Sequence, residues 1–383
     1  MKEFTINIPD EVIEGIKKRV ADYPWGKCYM ATPDSWEAGT DLEYLKEFCK
    51  YWVEKYDWRT HEAELNRFPQ YMATVDGIDI HFIMEKGSGD APKPLLMAHG
   101  WPGSVCEFTK IIEPLAHPER FGGKEEDAFT VIAPSLPGFA FSGRPSHPMG
   151  PRGMARVLNK LMVDVLGITS YIAQGGDWGS AICSWLGYDY SGTCKAIHFN
   201  VPTMRNIAGP QTPEEQAWAD QLVVDQVMED GYRTQQATKP QSLSYAMVDS
   251  PVGTAAWILE KFNTWSDTKG DDVESAHTKD DLLTNIMVYI LTNSFNSASW
   301  IYYGRREEGG RIMVKEDGRR VEVPTACALF PAEMLAWPPR SYFERMYNIV
   351  RWTKMPHGGH FAAMEEPQLL MDDLRAFARD IRL

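Results

Sequence analysis

The sequence predicts an α/β fold, in which a mostly parallel sheet is flanked by helices. Short apolar runs that end in glycine or proline alternate with helical stretches, a spacing typical of βαβ units. The chain of 383 residues is 44% hydrophobic and 12% aromatic, so it can bury a sizeable core. The runs interpreted as strands are PLLMAHG (94–100), FTVIAPSLPG (129–138), SYIAQGG (170–176), CKAIHFNVP (194–202), PTACALFP (324–331) and NIVRWTKMP (348–356).

The first segment, residues 1–70, is predicted to be helical and is rich in aromatic residues. Its apolar residues recur every three or four positions, which is the spacing of one face of a helix. The repeat consists of Leu42, Leu45, Cys49 and Trp52, and Trp58 and Phe68 follow. We therefore expect this segment to wrap around the core.

Residues 71–202 are predicted to form the first part of the core. The stretch YMATVDGIDIHFIM (71–84) places Asp76-Gly77 between two strand-like runs, which is a strong hairpin signal. The parallel strands follow, and residues 151–166 form a predicted helix between two of them. The sheet is therefore expected to begin with an antiparallel pair and to continue as βαβ units.

Residues 203–304 interrupt the sheet and are predicted to form a helical lid. They include TPEE at 212–215, a capping box with proline at the first helical position. The sheet resumes within residues 305–383, the second part of the core, which closes with an amphipathic helix. The apolar face of that helix consists of Leu370, Leu374, Phe377 and Ile381.

The charge and composition of the chain restrict the classes of molecule that it is expected to bind. The net charge of −14 disfavours nucleic acid and an anionic membrane surface, because both bind a basic patch. No apolar run reaches the length of a signal peptide or a membrane span, so we expect a cytoplasmic protein. A small neutral substrate fits best, and both a monomer and a homo-oligomer are compatible with the sequence.

The chain has six cysteines, none of them in CxxC spacing. This pattern favours reduced thiols in the core over disulfides or a zinc site. The cysteines are Cys28, Cys49, Cys106, Cys183, Cys194 and Cys327.

Three reactive side chains follow predicted strands, where open α/β sheets place their sites. The stretch IAQGGDWGS (172–180) has the glycine frame of the Gly-x-Ser-x-Gly elbow, but Asp177 stands where that motif has its serine nucleophile. Glu333 and His360 follow the last two predicted strands. Nucleophile, acid and histidine therefore occur in the chain order of an α/β-hydrolase triad.

A carboxylate nucleophile changes the chemistry of such a triad. Attack of Asp177 on an sp3 carbon yields an alkyl ester, which water then cleaves at the carboxyl carbon. His360 is expected to activate that water, and Glu333 to fix the orientation of the imidazole. The backbone N–H groups of Trp101 and Trp178 follow strand ends and are expected to stabilise the oxyanion. This chemistry suits epoxides and alkyl halides better than ordinary esters.

Three of these positions also have a simpler interpretation. Aspartate beside glycines is commonly a turn residue or a helix N-cap, and this is the alternative for Asp177. A glutamate after a strand is often a solvated residue in the first turn of a helix, and this is the alternative for Glu333. Ser180 is a candidate for a displaced serine nucleophile, but it lies past the turn and is expected to serve packing or capping.

The region around His360 contains rival residues. His357 and His360 form a His-Gly-Gly-His pair that suggests metal ligation, but no third ligand is apparent in the sequence. Glu365 and Glu366 compete with Glu333 for the role of the acid. We expect them to open the final helix and to cap it.

Five motifs occur in order along the chain: HGWPGS at 99–104, GGDWGS at 175–180, the run from DGYRTQQATKP to KFNTW at 230–265, FPAE at 330–333 and HGGHFAAMEEP at 357–367. Together they resemble the epoxide hydrolases of the microsomal type, and the resemblance covers nearly the whole chain. It implies the α/β-hydrolase fold and the hydrolysis of an apolar epoxide to a vicinal diol, without a cofactor or metal. By motif it implies a nucleophile, an acid and a base at Asp177, Glu333 and His360.

The resemblance also implies two lid tyrosines that donate hydrogen bonds to the epoxide oxygen. The matching positions are Tyr232 and Tyr302, and Tyr303 is the alternative to Tyr302. A phenol with a pKa of about 10 stays protonated at neutral pH, yet it is far more acidic than the alkoxide that develops. Membrane-bound members of the family carry an N-terminal anchor, which we do not expect here.

Two other functions stay open. The related haloalkane dehalogenases share the aspartate nucleophile and bind the departing halide with N–H donors. The side chains of Trp101 and Trp178 could serve as such donors, or they could line the substrate pocket. A ligand-binding protein without catalysis can also use this fold, but such relatives usually lose a triad member and none is lost here.

Overall fold

The computed structural model describes residues 1–29, 31, 35–227, 229–310 and 319–383 of the chain. A mixed sheet of nine strands forms the centre of this described part. In chain order the strands are β1 (Lys2–Glu3), β2 (Gln70–Val75), β3 (Ile78–Glu85), β4 (Lys93–Ala98), β5 (Phe129–Pro134), β6 (Tyr171–Gly175), β7 (Cys194–Phe199), β8 (Val321–Leu329) and β9 (Tyr347–Lys354).

The strands lie in the order β1-β2-β3-β5-β4-β6-β7-β8-β9. Strands β1, β2, β3 and β5 pair antiparallel, whereas β5, β4 and β6 to β9 pair parallel. The predicted hairpin is confirmed: Val75 pairs with Ile78, and the turn residues Asp76 and Gly77 have φ values of 50° and 78°. Two consecutive positive φ values are what a tight hairpin turn requires. The predicted α/β class with a mostly parallel sheet is confirmed.

Fifteen α-helices surround the sheet in the described residues. The helices before β7 are α1 (Asp10–Ala21), α2 (Leu42–Glu54), α3 (Trp58–Asn66), α4 (Ile112–Ala116), α5 (Pro151–Lys160) and α6 (Asp177–Asp189). The helices between β7 and β8 are α7 (Pro213–Gln226), α8 (Asp230–Thr238), α9 (Pro240–Asp249), α10 (Pro251–Trp265), α11 (Lys279–Leu291) and α12 (Phe295–Glu307). The remaining helices are α13 (Arg340–Glu344), α14 (Ala362–Glu365) and α15 (Pro367–Arg379).

The N-terminal segment contains three helices, as predicted, but it begins with the strand β1. Lys2 and Glu3 pair with Met72 and Tyr71 at the edge of the sheet. Two residues are too short to produce a periodic signal, so this strand could not be recognised in the sequence. Three residues of the predicted repeat, Leu45, Cys49 and Trp52, are buried in α2, whereas Leu42 at its first position is only partly buried. Phe48 is buried on the same helix although it did not belong to the predicted repeat.

The helices α7 to α12 stand between two neighbouring strands of the sheet, where the sequence predicts a helical interruption. Thr212 caps α7 by accepting a hydrogen bond from the Glu215 N–H at 3.2 Å. The other half of the predicted capping box differs. The Glu215 carboxylate accepts from the Gln211 N–H at 2.7 Å and pairs with Arg345. Because Glu215 is fully buried, it uses this cation to offset the loss of hydration.

The sheet is covered on both faces. Leu96 and Ala98 of β4 point into one apolar cluster, and Leu95 and Met97 point into the other. Alternate residues of a strand face opposite sides, so a central parallel strand needs a continuous apolar run. The predicted face of α15 packs in the second cluster, with Ile381 just beyond the helix end: Leu370, Leu374, Phe377 and Ile381.

The cysteines and the helix lengths bear on two further predictions from the sequence. The six cysteines are free thiols, and all of them except Cys28 are buried. Across the described ranges, none of the helices combines the length and the apolar character needed to cross a membrane.

Candidate active site

The candidate site lies at the carboxyl ends of the parallel strands. The loop after β4 carries HGWPGS, the turn after β6 carries Asp177, and the loops after β8 and β9 carry Glu333 and His360. Because these strands run parallel, their carboxyl ends lie at the same edge of the sheet. The topology therefore brings together residues that are far apart in the sequence.

Asp177 stands on a sharp turn between β6 and α6. Its φ is 44°, a value that is costly for a residue with a side chain and typical of a nucleophile elbow. The neighbouring glycines are required by space, because a Cβ on Gly179 would lie 1.9 Å from the Ala98 carbonyl oxygen. A Cβ on Gly175 would lie 2.4 Å from the backbone of Gly179. The glycine frame thus lets the turn pack against β4 and holds the carboxylate in the site.

His360 connects the two carboxylates of the predicted triad. Its Nδ1 lies 2.9 and 3.1 Å from the two carboxylate oxygens of Glu333, and its Nε2 lies 3.7 Å from Oδ2 of Asp177. His360 is 4% exposed and Glu333 is 8% exposed, so the pair is shielded from water. The bond at Nδ1 leaves Nε2 as the nitrogen that faces Asp177. The structure therefore brings together the three residues that the sequence singled out.

The two backbone N–H groups expected at an oxyanion hole converge on Asp177. The Trp101 N–H donates to Oδ1 of Asp177 at 2.8 Å. The Trp178 N–H also favours the ionised carboxylate. Donors that hold a carboxylate oxygen can also hold the oxyanion that forms when that carboxyl carbon becomes tetrahedral.

Burial and mutual charge shift the pKa values of the cluster. Burial raises the pKa of Asp177, although His360 and the backbone donors counteract part of the shift. Burial alone would lower the pKa of His360, but the carboxylates of Glu333, Asp177 and Glu107 outweigh it and raise the value to about 9. An imidazolium held between carboxylates is therefore the favoured form of His360 at neutral pH.

Glu107 belongs to this cluster, although no pattern in the sequence points to it. Burial raises the pKa of its carboxyl to about 8, against the opposing effects of His360 and of the Gly100 N–H. A Cβ on Gly103 would collide with the Glu107 carboxylate, so the glycine makes room for it. Glu107 lies in a short 3₁₀ turn after HGWPGS, and only the fold shows that its side chain turns back toward the site.

A cavity, which we call the catalytic cavity, lies above Asp177 between the core and helices α7 to α12. Its wall contains Asp177, Trp178 and His360 from the core and Tyr232 and Tyr302 from α8 and α12. The remaining lining residues are Ala181, Thr203, Asp230, Arg233, Trp265, Arg305, Met334 and Leu335. The predicted tyrosines therefore face the predicted nucleophile, and Tyr303 is absent from the described lining of this cavity.

Aromatic rings fix the two tyrosines. The Tyr232 ring stacks on the Trp101 ring at a centroid distance of 5.2 Å, and the Tyr302 ring meets the Trp178 ring edge-on at 4.7 Å. Trp265 packs against both Tyr232 and His360. The Trp178 side chain lines the catalytic cavity, whereas the Trp101 indole lies behind Tyr232 and does not belong to the described lining.

Glu366 stands at the N-cap position of α15, as expected, but neither Glu365 nor Glu366 caps this helix with its side chain. Glu365 ends α14, and its carboxylate accepts from the N–H groups of Gly359, Phe361 and Asp267 at 2.8 to 2.9 Å. Its side chain therefore ties the loop of His360 to the residues that follow α10. Glu366 makes no capping hydrogen bond and pairs with His357 at 2.7 Å.

Ser180 and His357, the remaining candidates from the sequence, make hydrogen bonds or ion pairs with residues outside the triad. The Ser180 hydroxyl donates to the Gly175 carbonyl at 3.0 Å inside α6, as expected for a packing residue. His357 is exposed and pairs with Glu366 at 2.7 Å, whereas His360 is buried. Within the described residues, no group of three or more His, Cys, Asp or Glu side chains is arranged to hold a metal ion.

Comparison with known proteins gives consistent matches over the whole chain. A family model described as "Epoxide hydrolase N terminus" matches residues 1–108, and a model of the alpha/beta hydrolase fold matches residues 93–250. "Epoxide hydrolase 1" of Oryctolagus cuniculus is 35% identical over 408 residues, which cover 98% of this chain and 88% of that protein.

Solved structures agree with these matches. The Aspergillus niger epoxide hydrolase has a TM-score of 0.84 and 29% identity, covering 100% of this chain and 96% of that chain. The juvenile hormone epoxide hydrolase from the silkworm Bombyx mori has a TM-score of 0.87 and 27% identity, covering 99% of this chain and 94% of that chain. These findings confirm the resemblance drawn from the motifs. The chain belongs to the epoxide hydrolases of the α/β-hydrolase family.

Proposed function

We propose that the protein is an enzyme that hydrolyses an apolar epoxide to a vicinal diol through a covalent ester on Asp177. The observation that carries this proposal is a carboxylate, in place of a serine, on the elbow facing both a His-Glu pair and two phenols. Family membership supports the same activity. The reaction needs only the epoxide, water and side chains of this chain.

In the first step, a carboxylate oxygen of Asp177 attacks an epoxide carbon. The C–O bond of the ring breaks and its electron pair goes to the epoxide oxygen. The hydroxyls of Tyr232 and Tyr302 donate hydrogen bonds to that oxygen and stabilise its developing charge. Burial raises the pKa of Tyr302 well above its usual value, so this phenol is protonated whenever substrate binds.

In the second step, water cleaves the ester at the carboxyl carbon of Asp177. Nε2 of His360 takes a proton from this water, while Glu333 holds the ring through Nδ1. The backbone N–H groups of Trp101 and Trp178 stabilise the tetrahedral oxyanion. As the intermediate collapses, its C–O bond to the substrate breaks and the leaving oxygen takes the proton held by His360, which releases the diol. The remaining proton of the water passes from the Asp177 carboxyl to His360, which restores the carboxylate.

Formation of the ester makes it easier for His360 to act as a base. The Asp177 carboxylate is one of the charges that raise the pKa of His360 to about 9. Esterification removes this negative charge, so the pKa of His360 falls and the neutral imidazole becomes more accessible. The histidine is thus protonated while the carboxylate acts as the nucleophile. The alkoxide formed in the first step takes a proton from a lid phenol, and the imidazolium returns a proton to that phenol, which leaves Nε2 free to accept a proton from water.

The four segments have distinct roles in this proposal. Residues 203–304 act as the lid, since they supply Tyr232 and Tyr302 to the wall of the catalytic cavity. Residues 71–202 and 305–383 form the core that holds the triad. Residues 1–70 wrap around this core, a role supported by the pairing of β1 with β2.

A haloalkane dehalogenase is the main alternative, because it would use the same nucleophile and base. It needs two N–H donors that converge on the leaving halide. The Trp101 indole lies behind the Tyr232 ring, whereas the Trp178 indole lines the cavity, so the two side chains do not converge there. Two phenols facing Asp177 favour an oxygen leaving group instead.

Product analysis separates these two functions. The purified protein is incubated with styrene oxide and, separately, with a bromoalkane. We expect phenylethanediol from the epoxide, because the phenols match the ring oxygen, and we expect little bromide. Release of bromide without any diol from a wider panel of aryl and alkyl epoxides would contradict the proposal. Tight binding of epoxides without turnover would support a ligand-binding protein.

The two phenols can be tested by removing their hydroxyls. We expect Tyr232→Phe and Tyr302→Phe each to slow ring opening by roughly 10²-fold, because each variant loses one donor to the developing alkoxide. Rapid-quench measurement of ester formation reports this step directly. Tyr303→Phe is the matched control, since Tyr303 neighbours Tyr302 outside the described lining of the cavity. A larger loss in Tyr303→Phe than in Tyr302→Phe would identify Tyr303 as the donor.

A further inference from the structure

A buried lysine that the proposed mechanism does not use lies beside one of the two phenols. The ammonium of Lys261 lies 4.7 Å from the centre of the Tyr232 ring. Lys261 and Trp265 stand four positions apart on α10, so both project from the same face of this helix. The Trp265 ring also packs against Tyr232, at a centroid distance of 5.2 Å. The fold therefore places a cation over the ring of a proposed proton donor.

Two carboxylates hold the Lys261 ammonium in this position. The ammonium lies 2.5 Å from Glu260 and 3.4 Å from Glu229. Glu229 also accepts a hydrogen bond from the Trp265 indole N–H at 3.2 Å, which fixes it between the lysine and the tryptophan. The side chains of Glu229 and Glu260 are 22% and 20% exposed, whereas that of Lys261 is 7% exposed. Water therefore screens the carboxylates more than it screens the ammonium.

A cation over the ring of a phenol favours the ionised form of that phenol. The ammonium is attracted to the face of the neutral ring, and the attraction becomes stronger when the ring carries the charge of a phenolate. Transfer of the Tyr232 proton leaves such a phenolate, so the Lys261 ammonium lowers the free energy of the state that follows the transfer. The charge of Lys261 therefore makes Tyr232 a stronger acid.

Tyr302 has different surroundings. Its side chain is buried, and burial raises the pKa of its phenol well above the usual value. The neutral rings of Trp101 and Trp178 meet its ring edge-on, at centroid distances of 5.7 and 4.7 Å. The Tyr302 hydroxyl can donate a hydrogen bond to the epoxide oxygen, whereas the loss of its proton is strongly disfavoured.

The charged groups that line the catalytic cavity have their own contacts. These groups are Asp177 and His360 of the core, Asp230 and Arg233 of α8, and Arg305 of α12. Asp230 pairs with Arg233, and His360 lies between the two carboxylates of the triad. The Arg305 guanidinium lies 5.1 Å from the centre of the Trp178 ring. Lys261 is absent from the described lining of this cavity, so its charge acts on the epoxide through the Tyr232 ring.

We propose that Lys261 makes Tyr232 the phenol that transfers its proton to the epoxide oxygen, while Tyr302 donates only a hydrogen bond to that oxygen. In this step Asp177 forms the bond to carbon, the ring C–O bond breaks, and the Tyr232 proton moves to the oxygen that receives the electron pair. The Tyr232 phenolate beside the Lys261 ammonium then takes a proton from His360. Lys261 is a positioning residue, since it acts through Tyr232. The assignment rests on the proposed function and gives its two phenols different roles.

The test is a double-mutant cycle on the rate constant for ester formation from styrene oxide, measured by rapid quench with enzyme in excess. Lys261→Met removes the charge and keeps a long side chain, and we expect ester formation to slow about tenfold. In a Tyr232→Phe background, the same change should slow it by less than about twofold, because the charge then has no phenol to act on. In a Tyr302→Phe background, the loss should again be about tenfold. Lys261→Arg keeps the charge and should stay within about threefold of the wild type.

Glu260→Gln is a change of the opposite sign. It removes the carboxylate that lies 2.5 Å from the ammonium and leaves the lysine in place. Its amide oxygen can still accept the hydrogen bond from the Thr264 hydroxyl. We expect ester formation to become faster by about two- to threefold, and only when the Tyr232 hydroxyl is present. This variant keeps the test valid if Lys261→Met fails to fold.

Equal losses from Lys261→Met in the wild-type and Tyr232→Phe backgrounds would overturn the assignment, because a lysine that only stabilises the lid would slow both alike. The absence of any loss in Lys261→Met would overturn it as well. A loss that disappears in the Tyr302→Phe background instead would identify Tyr302 as the acid. Wild-type protein that forms neither ester nor diol from aryl and alkyl epoxides would contradict the proposed function, so the two failures are distinguishable.

Discussion

Asp177→Asn is expected to lower kcat for diol formation by about 10⁴-fold or more, as is typical when a covalent nucleophile is lost. The amide cannot attack an epoxide carbon, so no ester forms and His360 has no ester to hydrolyse. Asparagine is the appropriate replacement because Asp177 has a φ of 44°, a region that asparagine tolerates better than alanine. Steady-state assay with styrene oxide measures the loss.

The control for this variant is Ser180→Ala on the same elbow. Ser180 is buried, and its hydroxyl donates to the Gly175 carbonyl, so its loss affects packing rather than chemistry. We expect most of the activity to remain. A severe loss in Ser180→Ala together with retained activity in Asp177→Asn would show that a serine is the nucleophile.

His360→Gln is expected to separate the two steps. Ester formation needs Asp177 and the phenols, but ester cleavage needs the base, so the second step should slow by roughly 10³-fold. Mass spectrometry of the intact variant should then show an adduct of substrate mass, and peptide analysis should place it on Asp177. Wild-type protein under the same conditions should carry much less of it.

His357→Gln is the matched control for the histidine. This variant removes the imidazole of the histidine three residues before His360. That imidazole pairs with Glu366 at 2.7 Å, and its side chain is 55% exposed. We expect this variant to turn over normally and to accumulate no adduct. Diol formation by His360→Gln at the wild-type rate, without an adduct, would point to direct attack of water on the epoxide.

The sequence is sufficient to predict those site residues that directly follow predicted strands. Asp177, Glu333 and His360 could be recognised because parallel strands place their carboxyl ends at one edge, whatever the details of packing. The tyrosines depended on the resemblance, since nothing in their spacing separates them from other tyrosines. The strand β1 could not be predicted, because its two residues are too few to show an alternating pattern.

Glu107 and Glu365 show why the remainder of the site is not visible in the sequence. Each glutamate belongs to a short helical turn, where such residues are normally solvated. Glu107 turns back over Gly103, and Glu365 turns inward to three backbone N–H groups. These directions depend on how loops fold over one another, which periodicity does not encode.

In the proposed mechanism, Asp177 supplies the oxygen that is added to the epoxide in the first turnover. A single turnover in ¹⁸O-labelled water, with enzyme in excess over styrene oxide, tests it directly. We predict an unlabelled diol and one ¹⁸O atom in the carboxylate of the peptide that contains Asp177, because water attacks the carboxyl carbon of the ester. Label in the diol and none in the peptide would contradict the covalent mechanism.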